Sequence, residues 1–239
     1  ETVTNKINHE AAFHCASIAK KVGVKSFVFA SSCSVYGAAG DGIDRNESSP
    51  LNPVTIYAHS KINAENQLRT IANSRFKITC LRFATACGFS PRLRLDLVLN
   101  DFVYSAITKG NIQILSDGSP WRPLIHVTDM ARAIHWSIER DNNAGAFLAL
   151  NVGDNNWNYQ IKELAECVAK LIPDTDVIVN KDAAPDKRSY RVNFDLFTEL
   201  APNHKPIVSL EEAIGDIRNG IVDYINIGNS FSKLNTIRL

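Results

Sequence analysis

Lys25-Ser26-Phe27-Val28-Phe29-Ala30 runs without a break into Ser31-Ser32-Cys33-Ser34-Val35-Tyr36-Gly37. A short apolar run that ends at a glycine is the mark of a buried strand with a turn at its carboxyl end. Upstream, Asn8 to Val22 carries apolar residues at helical spacing. Downstream, a polar loop from Gly37 to Pro53 leads to a helix around Thr55 to Ser74, and then to a second apolar strand, Phe76 to Phe83. Helices alternating with buried strands are βαβ units, so the fold class is α/β with a parallel sheet.

Beyond Gly88 the chain breaks at Ser90-Pro91-Arg92, and a helix is predicted over 96–108. A strand over 112–115 and the turn Asp117-Gly118-Ser119-Pro120 follow. Leu124 to Val127 reads as extended, with Thr128 or Asp129 as the cap of a helix reaching Glu139. A strand-helix pair spans Phe147 to Leu171 with Asn158 as N-cap, and Asp176 to Asn180 is a short strand. Ser209 and Glu212 have the spacing of a capping box for a helix toward Tyr224. Gly228 to Leu239 has no clear period.

The bulk numbers exclude several classes. A net charge of +1 gives no electrostatic case for nucleic acid or a membrane surface. No stretch approaches the ~18 consecutive apolar residues of a membrane span. The five cysteines are odd in number and irregularly spaced. They suggest neither a disulfide framework nor a metal site, and point to a reducing cytoplasm.

The chemistry gathers at Tyr57-Ala58-His59-Ser60-Lys61. Residues four apart share a helix face, so a phenol and an ammonium reach one substrate together. A cation beside the phenol favours phenolate, and Ser32, at the end of the preceding strand, could hydrogen-bond the same oxygen. A free phenol titrates near ~10, whereas a general base works best near ~7, a gap of roughly 4 kcal/mol. Gly37-Ala38-Ala39-Gly40-Asp41-Gly42 follows a strand but opens into a polar loop, not a helix, so it is no cradle for a dinucleotide phosphate.

A Tyr-x-x-x-Lys pair alone is weak evidence, and its context carries more. Together with Asn8-His9-Glu10-Ala11-Ala12, Ser31 to Gly37, Leu81-Arg82-Phe83-Ala84-Thr85-Ala86-Cys87-Gly88, Arg122 to Asp129 and Asn151-Val152-Gly153, it makes six ordered motifs. In these the chain resembles the extended short-chain dehydrogenase/reductases, in particular the NAD-dependent nucleotide-sugar epimerases and dehydratases. The resemblance implies a Rossmann-like doubly wound parallel sheet whose first strands are missing, with a smaller C-terminal α/β substrate domain. Residues 1–92, with 121–155 returning to them, would be the back part of the NAD-binding domain, and 93–239 mainly the substrate domain. About ninety to a hundred residues would lie upstream, including the glycine loop.

The resemblance also implies roles. Tyr57 is the acid/base, with transient hydride transfer to NAD (NADP not excluded), and Lys61 and Ser32 complete the catalytic set. Tyr57, Lys61, Ser31, Ala84 and Asn8 would face the cofactor. Arg122, Thr85, Gln113, Asp186 and Arg188, with Lys187 beside them, would face a nucleotide-diphosphate sugar. His126 reads as a satisfied buried histidine and His59 as solvent-facing. A homodimer would form through the Tyr57 helix.

Two departures matter. Sugar dehydratases of this family carry an Asp-Glu pair after the serine, where this chain has Cys33-Ser34, so an epimerase or keto-reductase is favoured. Thr85 and Pro123 stand where many relatives carry Asn and Asp. The alternatives are an NAD(P)-dependent reductase, a dehydratase on the same scaffold, or a non-catalytic fragment without a cofactor loop. A strand over 25–31 without upstream neighbours would leave an open edge and bare apolar helices, which favours association.

Overall fold

The computed structural model describes residues 2–38, 42–180 and 189–228. The chain opens on α1 (Thr2–Asn5), which passes through a π-helical stretch (Lys6–Ala11) into α2 (Ala12–Lys21). Strand β1 (Ser26–Ser32) ends in a 3-10 turn (Cys33–Tyr36), and the loop beyond contains the short β2 (Asp44–Arg45). Next come α3 (Ile56–Ile71), β3 (Lys77–Phe83) and β4 (Thr85–Cys87). Then follow α4 (Val98–Lys109), β5 (Asn111–Ile114), β6 (Trp121–His126), α5 (Val127–Glu139) and β7 (Phe147–Val152). A 3-10 turn (Asn155–Trp157), β8 (Asn158–Gln160), α6 (Ile161–Leu171) and β9 (Asp176–Val179) lead to β10 (Arg191–Val192), α7 (Asp195–Leu200) and α8 (Leu210–Asn226).

The main sheet is parallel in the order β1-β3-β7, with Ser26 opposite Lys77, Ser32 opposite Phe83, and Phe83 opposite Val152. Strand alternation sorts its side chains into two layers. Phe29, Ile78 and Cys80 face α2 and α3, where they pack with Ala16, Ala64 and Leu68. Leu81, Phe83, Leu150 and Val152 face the other way, and pack with Ala133 and Trp136 of α5 and Phe197 of α7. A third cluster joins α4, α6 and α8 through Leu99, Val103, Leu164, Val168, Ile217 and Ile221. Each fully buried aliphatic side chain contributes ~1.5–3 kcal/mol, so each cluster is a substantial core. Cys80, Cys33 and Cys87 are buried in the first, second and third cluster respectively.

Three small sheets flank this frame. β6 runs parallel to β4 and antiparallel to β8, β5 pairs parallel with β9, and β2 pairs parallel with β10. Among the described residues β1 pairs on one side only. Nearby, the helical residues Val3, Ile7 and Ile18 and the turn residue Val22 are exposed, the open edge and bare apolar surface that the sequence leads one to expect.

Two expected caps fall elsewhere. β6 runs on as far as His126, whose Nδ1 accepts the Thr128 N–H at 3.3 Å and caps α5. Asp129 is instead spent on the Ile207 and Val208 amides, at 3.1 and 3.2 Å. Asn158 lies in β8, where it bonds both backbone groups of Val192, and Gln160 with Glu163 forms the capping box of α6. Gly37 sits at φ +58°, and a Cβ there would meet the Asn52 carbonyl oxygen at 1.8 Å. The glycine exists for close passage of two chain segments, not for phosphate.

Candidate active site

Thr55 starts α3 by accepting the Ala58 N–H at 3.1 Å from an extended backbone. The helix lies against β1 with Tyr57 beside Ser32, Lys61 beside Ala30, and Leu68 in the apolar layer below. Its N-terminus therefore meets the carboxyl end of β1, where ligands bind in open α/β sheets. Residues 57, 61 and 65 share one face, which grades from the mouth into the interior.

At the mouth, Ser32 neighbours the Tyr57 phenol, and its hydroxyl accepts the Ser34 N–H at 3.2 Å. Tyr57 keeps 42% of its surface exposed. Burial of its inner part pushes the phenol above its usual value, opposed by the neighbouring Ser32 hydroxyl and then by the charge of Arg94. Ser34 Oγ is buried with no hydrogen-bond partner among the described residues.

Lys61 is only 8% exposed. Its Nζ donates to the Ala30 carbonyl at 2.8 Å and stands 4.7 Å from the Phe29 ring centroid and 5.3 Å from that of Tyr57. Desolvation lowers its affinity for a proton, against weaker support from Cys80 and Glu65. The sequence predicts that Lys61 supplies the field on the phenol oxygen. The ammonium instead lies over the ring face, turned toward a carbonyl.

Deeper still is a polar network. Arg82 meets Glu65 through Nε and Nη2, at 3.0 and 2.6 Å. Ser31 donates to Glu65 Oε1 at 2.5 Å, and Arg82 Nη1 donates to the Tyr36 hydroxyl at 3.1 Å. Tyr36 in turn donates to Asn151 Oδ1 at 2.8 Å, and the Asn151 N–H donates to Glu47 at 2.9 Å. Desolvation lowers the Arg82 proton affinity, but Glu65 outweighs it, so the guanidinium is held more firmly than usual. Four residues of the quoted motifs, Ser31, Tyr36, Arg82 and Asn151, thus join β1, β3 and β7 from inside. Ser31 points away from the face that carries Ser32, as neighbours on a strand do.

The remaining candidates are scattered. Ala84 is buried, and its N–H donates to the Val152 carbonyl at 3.0 Å. Asn8 lies in the π-helical stretch, which packs on α3. Thr85 begins β4, and Arg122 lies on β6 with its guanidinium 2.8 Å from the Trp121 carbonyl and over the Tyr190 ring. Gln113 is exposed on β5 opposite Ile178. Asp186, Lys187 and Arg188 fall outside the described residues. His126 is buried, 3.2 Å from Asp216, as a satisfied histidine should be, and His59 is exposed.

Arg94 stands in no motif of the sequence. Its guanidinium holds Asp96 through two contacts of 2.7 and 2.6 Å, in the loop after β4 that reads only as a chain break. The available signal was position: loops after parallel strands carry site residues.

Comparison with known proteins identifies the family. A model of the NAD dependent epimerase/dehydratase family matches residues 1–153. The UDP-glucose 4-epimerase of Bacillus subtilis is 27% identical over 181 residues, which is 69% of this chain and 53% of that protein. An undecaprenol-linked N-acetylglucosaminyl 4-epimerase of Escherichia coli O157:H7 is 25% identical over 173 residues, 70% of this chain and 50% of that one. The chain thus spans about half the length of these curated relatives. Among solved structures, the UDP-N-acetylglucosamine 4-epimerase of Methanobrevibacter ruminantium M1 in complex with UDP-N-acetylmuramic acid superposes with a TM-score of 0.78 at 23% identity, covering 92% of this chain and 70% of that one. MoeE5 in complex with UDP-glucose and NAD gives 0.76 at 23% identity, covering 91% and 72%. With the matched segment extending over more than half of its residues, from the start of the chain to just past β7, this chain belongs to the NAD dependent epimerase/dehydratase family of extended short-chain dehydrogenase/reductases.

Proposed function

We infer that this chain carries the acid/base half of an NAD-dependent nucleotide-sugar epimerase. The observation that supports it best is Tyr57 set beside Ser32 with Lys61 buried beneath, at the carboxyl end of β1. Tyr57 takes the proton from a sugar hydroxyl and returns it, and Ser32 aligns that hydroxyl and the phenol. NAD, when bound, supplies the hydride acceptor. The residues present fit such a group. Lys61 has donors to spare for a ribose, and the unpartnered Ser34 hydroxyl suits a hydroxyl-rich sugar.

In this reading the phosphates of the dinucleotide are held by residues other than these 239. Residues 1–92 with 121–155 serve the cofactor, and 93–239 mainly the substrate, although β6 belongs to a separate small sheet. Arg122 meets the diphosphate as a planar guanidinium can. A second copy docks on the Tyr57 helix, beside the groove lined by Lys6, His9, Phe13 and Gln67.

Cys33 argues against dehydration. Its thiol is fully buried, donates to the Arg82 carbonyl at 3.0 Å, and is pushed far up by burial. It offers no acid for an elimination.

The test is turnover of UDP-hexoses by the longest form of the protein that its source encodes. Tyr57→Phe should lower kcat by about 10²–10⁴ with little change in KM, since only the proton transfer is lost. Wild-type turnover in Tyr57→Phe would sink the reading, and release of a 4-keto-6-deoxy sugar would replace epimerase by dehydratase. Since burial raises the phenol, the acid limb of kcat should climb with pH as phenolate forms.

A further inference from the structure

Successive residues of β6 belong to different cores. Leu124 packs in the third cluster and Ile125 in the second. His126 follows at the seam, 6% exposed, and its two ring nitrogens serve two different helices. Nδ1 accepts the Thr128 N–H at 3.3 Å, at the start of α5. Nε2 stands 3.2 Å from Oδ2 of Asp216 on α8. The same carboxylate oxygen accepts the Phe89 N–H at 2.7 Å, which ties the loop after β4 to α8 as well. The fit is close. A Cβ on Gly88 would meet Nε2 at 2.7 Å, and one on Gly220 would meet the Phe89 ring at 2.2 Å. These partners fix the tautomer: an amide N–H only donates, so Nδ1 is bare, and a carboxylate only accepts, so Nε2 carries the hydrogen.

We propose that His126 is a proton-operated pin between two cores: neutral, it holds both α5 and α8, and protonated, it keeps α8 and releases the cap of α5. An imidazolium donates from both nitrogens, so Nδ1 can no longer accept from Thr128. Its charge then also stands at the N-terminus of α5, the end of a helix that disfavours a cation. Toward Asp216 the same charge turns a hydrogen bond into an ion pair. Other titratable groups near the ring are already engaged. On α8, Glu212 lies one turn before Asp216 and closes the capping box with Ser209. On α5, Asp129 accepts from the Ile207 and Val208 amides and stands 3.6 Å from Arg132. Cys87 of β4 is kept neutral by burial, and the loop after β4 brings only Gly88 against the ring. Acid therefore loosens the start of α5, a helix of the second core, while the β4 loop stays fastened to the third.

The experiment follows the ring and two amides by NMR in the full chain, from about pH 8 to about pH 5. Histidine ¹⁵N shifts should show the Nε2–H tautomer of His126 at the upper end. As the ring gains its proton, hydrogen-exchange protection of the Thr128 amide should fall roughly tenfold, after correction for the intrinsic pH dependence of exchange. The Phe89 amide should stay protected. Asp216→Asn keeps an oxygen acceptor and removes the charge, so the His126 midpoint should drop by roughly half a pH unit or more. His126→Asn caps without titrating, and should hold Thr128 protected throughout. Asp216 is half-exposed, so its variant keeps the test open if His126→Asn does not fold. A ring that stays neutral down to about pH 5, Thr128 protection that ignores the ring titration, or joint loss at Thr128 and Phe89 would each overturn the proposal. None of these readouts needs turnover, so failure here leaves the acid/base reading of Tyr57 untouched.

Discussion

Lys61 is a side chain held against its own solvation. It is nearly enclosed, its acceptor is one carbonyl, and burial lowers its proton affinity. An unfolded chain therefore binds this proton more readily, and stability should rise with pH between the folded and unfolded pKa of this group. Lys61→Met keeps the stem and removes the charge. We expect it to raise Tm by about 2–4 °C at neutral pH, the size of ~1 kcal/mol in a chain of this length, while abolishing turnover. A lower Tm in calorimetry would mean that the ammonium is better satisfied than its contacts suggest. That Tyr57, Lys61 and Ser32 come together was legible, because four residues on a helix and the end of a strand define a location. The Arg94–Asp96 pair was not, since nothing local in Arg92-Leu93-Arg94-Leu95-Asp96 tells which charges meet.

At the scale of elements, the deep network decides how α3 and the strands stay in register. Breaking one partner of a buried pair leaves the other uncompensated. Glu65→Leu should cost about 3–5 kcal/mol in urea unfolding, and adding Arg82→Met should recover most of that loss. If Glu65→Leu cost less than about 1 kcal/mol, the pair would not be the fastening it looks like. The turn at Gly37 makes a second case. Gly37→Ala adds a Cβ that would overlap the Asn52 carbonyl at an unfavourable φ, and should lower stability by more than ~2 kcal/mol. The alternation of helix and strand was legible in the sequence because a parallel strand buried on both faces is an unbroken apolar run. The partners of Ser31, Tyr36, Arg82 and Asn151 were not, because they are brought together from four elements far apart in the chain. Likewise the caps at Asp129 and Asn158 were misplaced because tertiary partners at Val192, Ile207 and Val208 took those side chains.

For the molecule as a whole, the single-sided pairing of β1 sets the expected behaviour in solution. The open edge and the exposed Ile18 and Val22 should give concentration-dependent association of this chain in sedimentation velocity, and a monomer at all concentrations would contradict that. Outer β1 amides should exchange with deuterium faster than those of the central β3. The buried thiols carry this further. Cys80, Cys33 and Cys87 sit one to a core, each with burial raising its pKa, while Cys15 is exposed. Each core therefore has its own silent sulfhydryl clock, which starts only when that core opens. Pulsed alkylation read by peptide mass spectrometry would give three separate rates for the buried thiols, after the earlier labelling of exposed Cys15 and half-buried Cys167. Equal rates would describe one cooperative body, and an early Cys80 would mark the layer beside the open edge as the first to give way.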